Sequence, residues 1–303
     1  MNHENFNYLE HGFVGHLAEP DNGSSKAVIV IMGGEQSILP GIKFAERFAD
    51  YGIIGLSVSL FGAEGLPDSP NQVALDMFIP AVNYLKEKKH IEHLSIYGQS
   101  MGSIFAALAA QYIGEFENLI MVSPTHVPFE GTLKDKKTMT GQSVVTWQGV
   151  DIPFVKADFS NFKAKKYYKH EKAKYRVTGM WIAYHNAYQD FAMVNKAKLR
   201  IEKANARVLI IAGDEDECWP AEYSAKIIEQ ELKAADYNKD IKVIIYPHGS
   251  HLNGLMPNRE REKKLYQMIP LIGFMYKTFG KYRKENIKYF ANSEKEILSW
   301  ING

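Results

Sequence analysis

The amino-acid sequence predicts an α/β protein with a mainly parallel central sheet, flanking helices and an inserted helical cap. Short apolar runs alternate with helix-like segments, and one long segment interrupts this alternation. Strands covered on both faces are nearly continuous in apolar residues, and strands that alternate with helices pair in parallel through right-handed crossovers. The predicted strands are residues 26–32, 53–59, 93–98, 118–123, 206–213 and 242–247.

The segments between these strands have the apolar spacing of helices that lie against a sheet. They are residues 41–52, 71–90, 103–114 and 220–236. Ahead of the first parallel strand, residues 11–26 have the pattern of an antiparallel edge hairpin that ends in a polar turn. We therefore expect one antiparallel edge on the parallel sheet.

The alternation stops between Pro124 and Asn205. A segment of that length is too long for a structureless loop in a compact domain, so we interpret residues at about 124–205 as a mostly helical cap or lid. Caps of this kind lie over the carboxyl ends of the strands, where open α/β sheets bind ligands. The whole chain, 1–303, is then one domain with the cap inserted in it.

Composition excludes several classes of function. With a net charge of +1, the chain has no overall field that would favour nucleic acid or an anionic membrane. No apolar stretch is long enough to span a bilayer, and the first residues lack the pattern of a signal peptide. The single cysteine, Cys218, cannot form an internal disulfide, so we expect a cytoplasmic protein. The sequence has no HExxH motif, paired cysteines or phosphate-binding glycine loop, so we predict neither a metal nor a cofactor.

The stretch IYGQSMGS places a serine at the junction of a predicted strand and a predicted helix. A chain that turns so sharply crowds the central residue, and glycine at positions 98 and 102 removes the side chains that would clash. Ser100 would then project at the top of the sheet as the nucleophile of an elbow, while the alternative is a serine that caps a helix in a tight turn. A second Gly-Gln-Ser ends at Ser143, but it follows a polar run and lacks the second glycine.

A serine nucleophile needs a base and an acid that orients the base, in the order Ser, Asp or Glu, His. Four carboxylates follow one late strand, at positions 214 to 217. We favour Asp216 because the chain has turned back over the sheet there; Asp214 and Glu215 are the alternatives. After the last strand, Gly249 and Ser250 can curl the loop inward, so His251 is preferred as the base over His248.

An oxyanion hole needs two backbone N–H donors that point at the developing charge. The amide of Met101, directly after the serine, is one candidate. The glycine-containing loop after the first parallel strand supplies the other, from the amide of Gly34 or Glu35. A glycine turn that only links strand to helix is the alternative for this loop.

These motifs resemble the catalytic domain of the acyl-CoA thioesterase and bile-acid-CoA:amino-acid N-acyltransferase family, within the α/β-hydrolase superfamily. The resemblance extends over GFVGHLAEP, VIVIMGGEQS, LFGAEGLP, FIPAVNYLKEKKHIEHLSIYGQSMGS, IPFV, ARVLIIAGDEDECWP and YPHGSHLN. By position, it implies Ser100 as nucleophile, Asp216 as acid and His251 as base.

The chain departs from the family pattern in two ways. Family members carry an immunoglobulin-like sandwich ahead of the catalytic domain, and we expect none within these 303 residues. Members that transfer an acyl group to an amino acid have cysteine as the nucleophile, whereas residue 100 is serine. The resemblance therefore implies hydrolysis, with water as the acceptor.

The cap contains a basic segment and an apolar one. Residues 161–176 could bind the phosphates and adenine of coenzyme A, or could be a solvated helix face. Residues 178–191 are expected to line an acyl pocket or to seal the cap against the core. Trp181 and Tyr184 in this segment, with Trp219 beside the predicted acid, are the candidate substrate-binding residues.

The sequence thus predicts a serine hydrolase that forms an acyl-enzyme, and the resemblance implies a small-molecule acyl thioester, first of all a thioester of coenzyme A, as its substrate. Hydrolysis of a carboxylic ester or a small amide is the alternative. Acyl transfer to an amino acid and ligand binding without turnover are two further hypotheses. The sequence predicts no nucleic-acid or membrane partner, and it leaves the acyl-chain length and the oligomeric state open.

Overall fold

A mixed eight-stranded sheet forms the centre of the molecule. The computed structural model describes residues 1–34, 37–135, 138–158, 167–169, 176–255, 273 and 276–303. The strands are β1 (Asn2–Phe6), β2 (Gly15–Glu19), β3 (Lys26–Ile31), β4 (Ile54–Val58), β5 (Val73–Ala74), β6 (His93–Gln99), β7 (Asn118–Val122), β8 (Glu130–Thr132), β9 (Met139–Ser143), β10 (Val145–Trp147), β11 (Val150–Asp151), β12 (Tyr167–Lys169), β13 (Arg176–Thr178), β14 (Arg207–Gly213) and β15 (Ile241–Tyr246). The helices are α1 (Tyr8–His11), α2 (Leu39–Ala49), α3 (Phe78–Asn83), α4 (Gly102–Tyr112), α5 (Gly179–Ala187), α6 (Phe191–Ala197), α7 (Ala221–Ala234), α8 (Lys277–Lys281) and α9 (Arg283–Asn302).

The sheet has the strand order β1-β2-β4-β3-β6-β7-β14-β15. β1 and β2 are antiparallel to their neighbours, and the other six strands are parallel. Those six are the apolar runs that the sequence predicts as strands, with ends that differ by at most one residue. The α/β class with a mainly parallel sheet is confirmed. The parallel register brings the carboxyl ends of β6, β14 and β15 to the same edge of the sheet.

The antiparallel edge is present, but its pairing differs from the predicted hairpin. Within residues 11–26 only β2 is a strand, and its partners are β1, which precedes this segment, and β4. Because β4 lies between β2 and β3, the polar turn after β2 joins two strands that do not pair.

Three of the four predicted helices form as α2, α4 and α7. The fourth segment, 71–90, begins instead with β5 and one 3₁₀ turn before α3 starts at Phe78, and it ends in a π-helical turn. Pro80 lies in the first turn of α3, where its missing N–H leaves no gap in the hydrogen bonding.

The cap combines short strands with two helices. Helix forms at α5 and α6 only, whereas β8 to β13 precede them in the described part of the cap. The prediction of a mostly helical cap is therefore not met over residues 130–151, where the run Val144–Val145–Thr146–Trp147 favours strand because it is β-branched and aromatic. β10 pairs in parallel with β5, which joins the cap to the core through a contact that is distant in sequence.

Apolar side chains cover both faces of the sheet. On one face, α2 and α9 contribute Phe48, Ile297 and Ile301 to a buried cluster with the central strands. On the other face, α4 and α7 pack beneath the cap in the largest cluster. Among the described residues, no helix combines the length and apolar character needed to cross a bilayer.

Two glycines allow α4 to start directly against the ends of neighbouring strands. A Cβ at Gly98 would lie 2.3 Å from the carbonyl oxygen of Gly102 and 2.7 Å from Cβ of Ala106. A Cβ at Gly102 would lie 2.3 Å from the carbonyl oxygen of Ile31 and 2.4 Å from that of Met32. Gly98 therefore lets the helix pack on its own strand, and Gly102 lets it approach the end of β3.

Replacing Gly98 by alanine should destabilise the protein by about 1–3 kcal/mol, because the new methyl group meets backbone atoms that cannot move independently. The free energy of unfolding in urea measures this effect. Gly34→Ala is the control, since no described atom lies within 4 Å of a Cβ there and its φ is not left-handed. Equal stability of the two variants would contradict the assigned role of Gly98.

Candidate active site

Ser100 occupies the turn between β6 and α4. Its φ of 57° is in the left-handed region, which a residue other than glycine adopts only when its surroundings hold it there. The amide N–H of Ser100 donates to the carbonyl oxygen of Val122 at 2.9 Å. The amide and the hydroxyl of Ser103 both donate to the carbonyl oxygen of Ser100, at 2.9 and 2.7 Å. These bonds fix the turn and leave the Ser100 side chain partly exposed.

The structure brings the side chains of Ser100, His251 and Asp216 together. Nε2 of His251 lies 2.8 Å from Oγ of Ser100, and Nδ1 of the same ring lies 2.7 Å from Oδ2 of Asp216. His251 and Asp216 are buried, with 5% and 1% of their surfaces exposed. Because a carboxylate only accepts, Nδ1 of His251 carries a proton, and in the neutral form of the ring Nε2 accepts from the serine hydroxyl.

The alternative residues have other partners. Nδ1 of His248 lies 2.6 Å from Oε1 of Glu215, and the His248 ring stacks on Tyr282 with centroids 4.0 Å apart. The amide of Asp214 donates to the carbonyl oxygen of Tyr246, which keeps Asp214 at the end of β14. Within the two loops, Asp216 and His251 are therefore the acid and the imidazole that reach Ser100.

The environment of His251 favours its protonated form. Burial alone lowers the pKa of the imidazole, but the negative charge of Asp216 and the hydrogen bond to it raise that pKa well above its ordinary value. Oδ1 of Asp216 accepts from the amides of Cys218 and Trp219, at 2.8 and 3.3 Å. The carboxylate is thus fixed by its own loop while its other oxygen holds the imidazole.

Glu217 anchors the loop that carries His251. Its side chain is fully buried, and Oε2 accepts from the hydroxyl of Ser250 at 2.9 Å and from the amide of His251 at 3.4 Å. Oε1 accepts from the amide of Thr278 at 2.8 Å. Burial raises the pKa of this carboxyl, and the neighbouring charge of Asp216 acts in the same direction. The spacing of the sequence motifs does not predict this role of Glu217. One sequence feature is consistent with its burial: it directly precedes Cys218 and Trp219, in a segment that enters the core.

The thiol of Cys218 lies beside the same groups. Its sulfur is within 4.8 Å of a donor atom of both Asp216 and His251, a grouping that a metal ion could in principle use. Asp216 and His251 are already bonded to each other there. Burial raises the pKa of the Cys218 thiol, so this group is protonated and a poor nucleophile at neutral pH.

A cavity of about 470 Å³ opens beside Ser100. Apolar side chains form much of its described wall: Ile104, Phe129, Val144, Met180, Tyr184 and Trp219. Gly34 and Met101, the candidates for the oxyanion hole, lie in the same wall. Glu35 lies outside the described residues. The approach of Gly102 to the carbonyl oxygens of residues 31 and 32 is what brings the loop of Gly34 to the start of α4.

Two of the three candidate substrate-binding residues line this cavity. Tyr184 and Trp219 contact the space, with ring centroids 5.4 Å apart. Trp181 does not belong to the described wall; its ring stacks on His185 at 4.8 Å. Met180 and Tyr184 are four residues apart on α5 and so share a face, and Trp181 points from another face. Most of the basic segment 161–176 lies outside the described residues, where only the backbone of β12 and of Arg176 is placed.

Curated relatives of the chain are thioesterases. It is 22% identical over 205 residues to the peroxisomal succinyl-coenzyme A thioesterase of Mus musculus, covering 67% of this chain and 43% of that protein. It is 22% identical over 237 residues to acyl-coenzyme A thioesterase 6 of Homo sapiens, covering 77% of this chain and 50% of that protein. The chain therefore spans about half the length of the curated relatives it matches.

A solved structure and a family profile complete the comparison. A protein of Klebsiella pneumoniae subsp. pneumoniae, assigned as a dienelactone hydrolase, superposes with a TM-score of 0.53 at 13% identity, over 99% of this chain and 98% of that one. At that identity the likeness supports the fold, which is the α/β-hydrolase fold. The profile of the family described as BAAT / Acyl-CoA thioester hydrolase C terminal matches residues 73–257, which is more than half of the chain and includes Ser100, Asp216 and His251. The chain belongs to that family.

Proposed function

We propose that the protein is a serine hydrolase that cleaves acyl thioesters through an acyl-enzyme. The observation that supports the proposal most directly is the continuous hydrogen-bonded series from Ser100 through His251 to Asp216, at the wall of an apolar cavity. Acyl transfer requires a nucleophile, a base and an acid that orients the base, and the three must lie within hydrogen-bonding distance as they do here.

In the proposed reaction, Oγ of Ser100 attacks the acyl carbonyl carbon while Nε2 of His251 takes the hydroxyl proton. Asp216 holds the imidazole in the correct tautomer and stabilises the imidazolium that forms. The amides of Met101 and of Gly34 or Glu35 stabilise the oxyanion of the tetrahedral intermediate. His251 then protonates the leaving group. A water molecule, deprotonated by the same ring, releases the acid from Ser100.

The thioester as substrate follows from membership of the family and from the thioesterase names of the relatives. A thioester of coenzyme A would place its acyl chain in the cavity, along Tyr184 and Trp219, and its nucleotide outside. The second candidate is a carboxylesterase, because no described residue of the cavity wall is a lysine or an arginine that would select a phosphorylated leaving group. The cytoplasmic location stays a prediction from sequence.

Ser100→Ala should abolish labelling by a fluorophosphonate and should lower turnover of any substrate by about 10³-fold or more, because it removes the attacking oxygen. Mass spectrometry of the labelled peptide and steady-state rates measure the two effects. Ser143→Ala is the matched control, since Ser143 follows the second Gly-Gln pair and is buried in the cap. Labelling that persists in Ser100→Ala would exclude the proposed nucleophile.

The rate should depend on pH through His251. The imidazole acts as a base only when neutral, and its pKa lies above the ordinary 6.5, so kcat/KM should rise with pH and reach half its maximum above pH 6.5. Asp216→Asn removes the charge that raises this pKa, so the midpoint should move to lower pH while the rate falls on the order of 10³- to 10⁴-fold.

Glu215→Gln is the control for that profile, because it removes a neighbouring charge that pairs with His248 instead of His251. The pH at which this variant reaches half its maximal kcat/KM should stay near that of the unmodified protein. A midpoint that is unchanged in Asp216→Asn would contradict the role assigned to this carboxylate.

Turnover of acyl-CoAs and of p-nitrophenyl esters with matching chain lengths should distinguish the two candidate functions. A thioesterase should hydrolyse the acyl-CoA of its preferred length with the higher kcat/KM. Turnover restricted to the nitrophenyl esters would assign a carboxylesterase. Added glycine or taurine should leave the yield of free acid unchanged, since water is the acceptor; an amide product would identify an acyltransferase.

A further inference from the structure

Two histidine rings face each other at the antiparallel edge of the sheet, away from the cavity. Nδ1 of His3 lies 3.1 Å from Nε2 of His16, and the rings are tilted by 36°. Asn5 pairs with His16 across β1 and β2, so His3, Asn5 and His16 point to the same face of the sheet. Helix α2 covers this face and carries Glu46. One donor atom from each of His3, His16 and Glu46 lies within 4.8 Å of the other two.

The tautomer of His16 is fixed. Its Nδ1 lies 2.7 Å from Oδ1 of Asn5, and because that oxygen only accepts, Nδ1 carries the ring proton. Nε2 therefore presents a lone pair toward His3. A histidine that ligates a metal is normally oriented in this way, by a hydrogen bond from its other ring nitrogen.

We propose that His3, His16 and Glu46 bind one divalent transition-metal ion of the zinc type. The ligands are Nδ1 of His3, Nε2 of His16 and a carboxylate oxygen of Glu46, with water at the fourth position. Tetrahedral zinc with Zn–N bonds of about 2.0–2.1 Å separates two ligating nitrogens by about 3.3 Å. The separation of 3.1 Å between the two rings is close to this value, and a small rotation of the exposed His3 ring directs both lone pairs at one ion.

One competing cation lies beside the proposed site. Nζ of Lys43 donates to Oε2 of Glu46 at 2.7 Å. The positive charge of Lys43 repels a bound dication, and its hydrogen bond occupies one carboxylate oxygen of Glu46. Removal of this charge should therefore strengthen metal binding at Glu46.

A metal at this position would join the edge strand β1 to α2, two elements that are distant in the chain. It would protect the outer edge of the sheet by holding β1 in place. The site does not depend on the proposed hydrolase reaction, because neither histidine belongs to the wall of the cavity.

The test is a calorimetric titration of Zn²⁺ into the full chain, without an affinity tag and after treatment with a chelator. We expect one ion per chain, an affinity reduced at least about tenfold by His3→Ala or by His16→Ala, and a higher affinity in Lys43→Gln. Zinc should also raise the melting temperature of the unmodified protein but not that of His3→Ala. Because His3 is exposed, this variant should fold, which circular dichroism verifies.

His93→Ala is the matched control, since Nδ1 of His93 lies 3.0 Å from Glu117 and offers a histidine and a carboxylate without a second imidazole. Its affinity for zinc should equal that of the unmodified protein. The proposal is overturned if zinc does not bind, if folded His3→Ala binds it as tightly as the unmodified protein, or if His93→Ala loses it. None of these results concerns hydrolysis, so either proposal can fail alone.

Discussion

The site depends on how closely the start of α4 approaches the ends of β3 and β6. That approach requires two positions without a Cβ, since methyl groups at Gly98 or Gly102 would lie 2.3 Å from carbonyl oxygens. The same close contact holds Ser100 at a φ of 57° and presents its hydroxyl above the sheet. It also brings Gly34 and Met101 to the same wall of the cavity. The positions of the proposed nucleophile and of the candidate oxyanion donors are thus consequences of one steric constraint.

The acidic loop after β14 shows how a short run of like charges is divided among different partners. Glu215 pairs with His248, Asp216 with His251, and Glu217 with Ser250 and the backbone. These partners offset part of the repulsion between neighbouring carboxylates, whereas Oδ1 of Asp214, at the start of the run, is buried without a hydrogen-bond partner among the described residues. The arrangement also leaves His251 as the imidazole next to Ser100, because the pairing with Glu215 and the stacking on Tyr282 hold His248 elsewhere.

Much of the central fold could be predicted because the information is local. Each parallel strand is a continuous apolar run, and Ser100 lies between glycines at a change of hydrophobic period. The strands of the cap were missed because β10 pairs with β5, with Val145 opposite Val73, and local spacing cannot reveal a pair so distant in sequence. Glu217 was missed for a similar reason, since its partner Thr278 belongs to another element. The sequence could not show that Trp181 lies outside the described wall of the cavity, because the face of α5 that meets the cavity is set by tertiary packing.

Part of the hydrogen bonding that holds the loop of His251 comes from the last part of the chain. Thr278 contacts Glu217, and the side chain of Asn286 accepts from the amide of Ser250 and donates to the carbonyl oxygen of His248. During synthesis on the ribosome, the sheet and the serine emerge well before these residues. A nascent chain therefore lacks these bonds until α8 and α9 have left the exit tunnel, so the proposed base is fully held beside Ser100 only after both helices have formed.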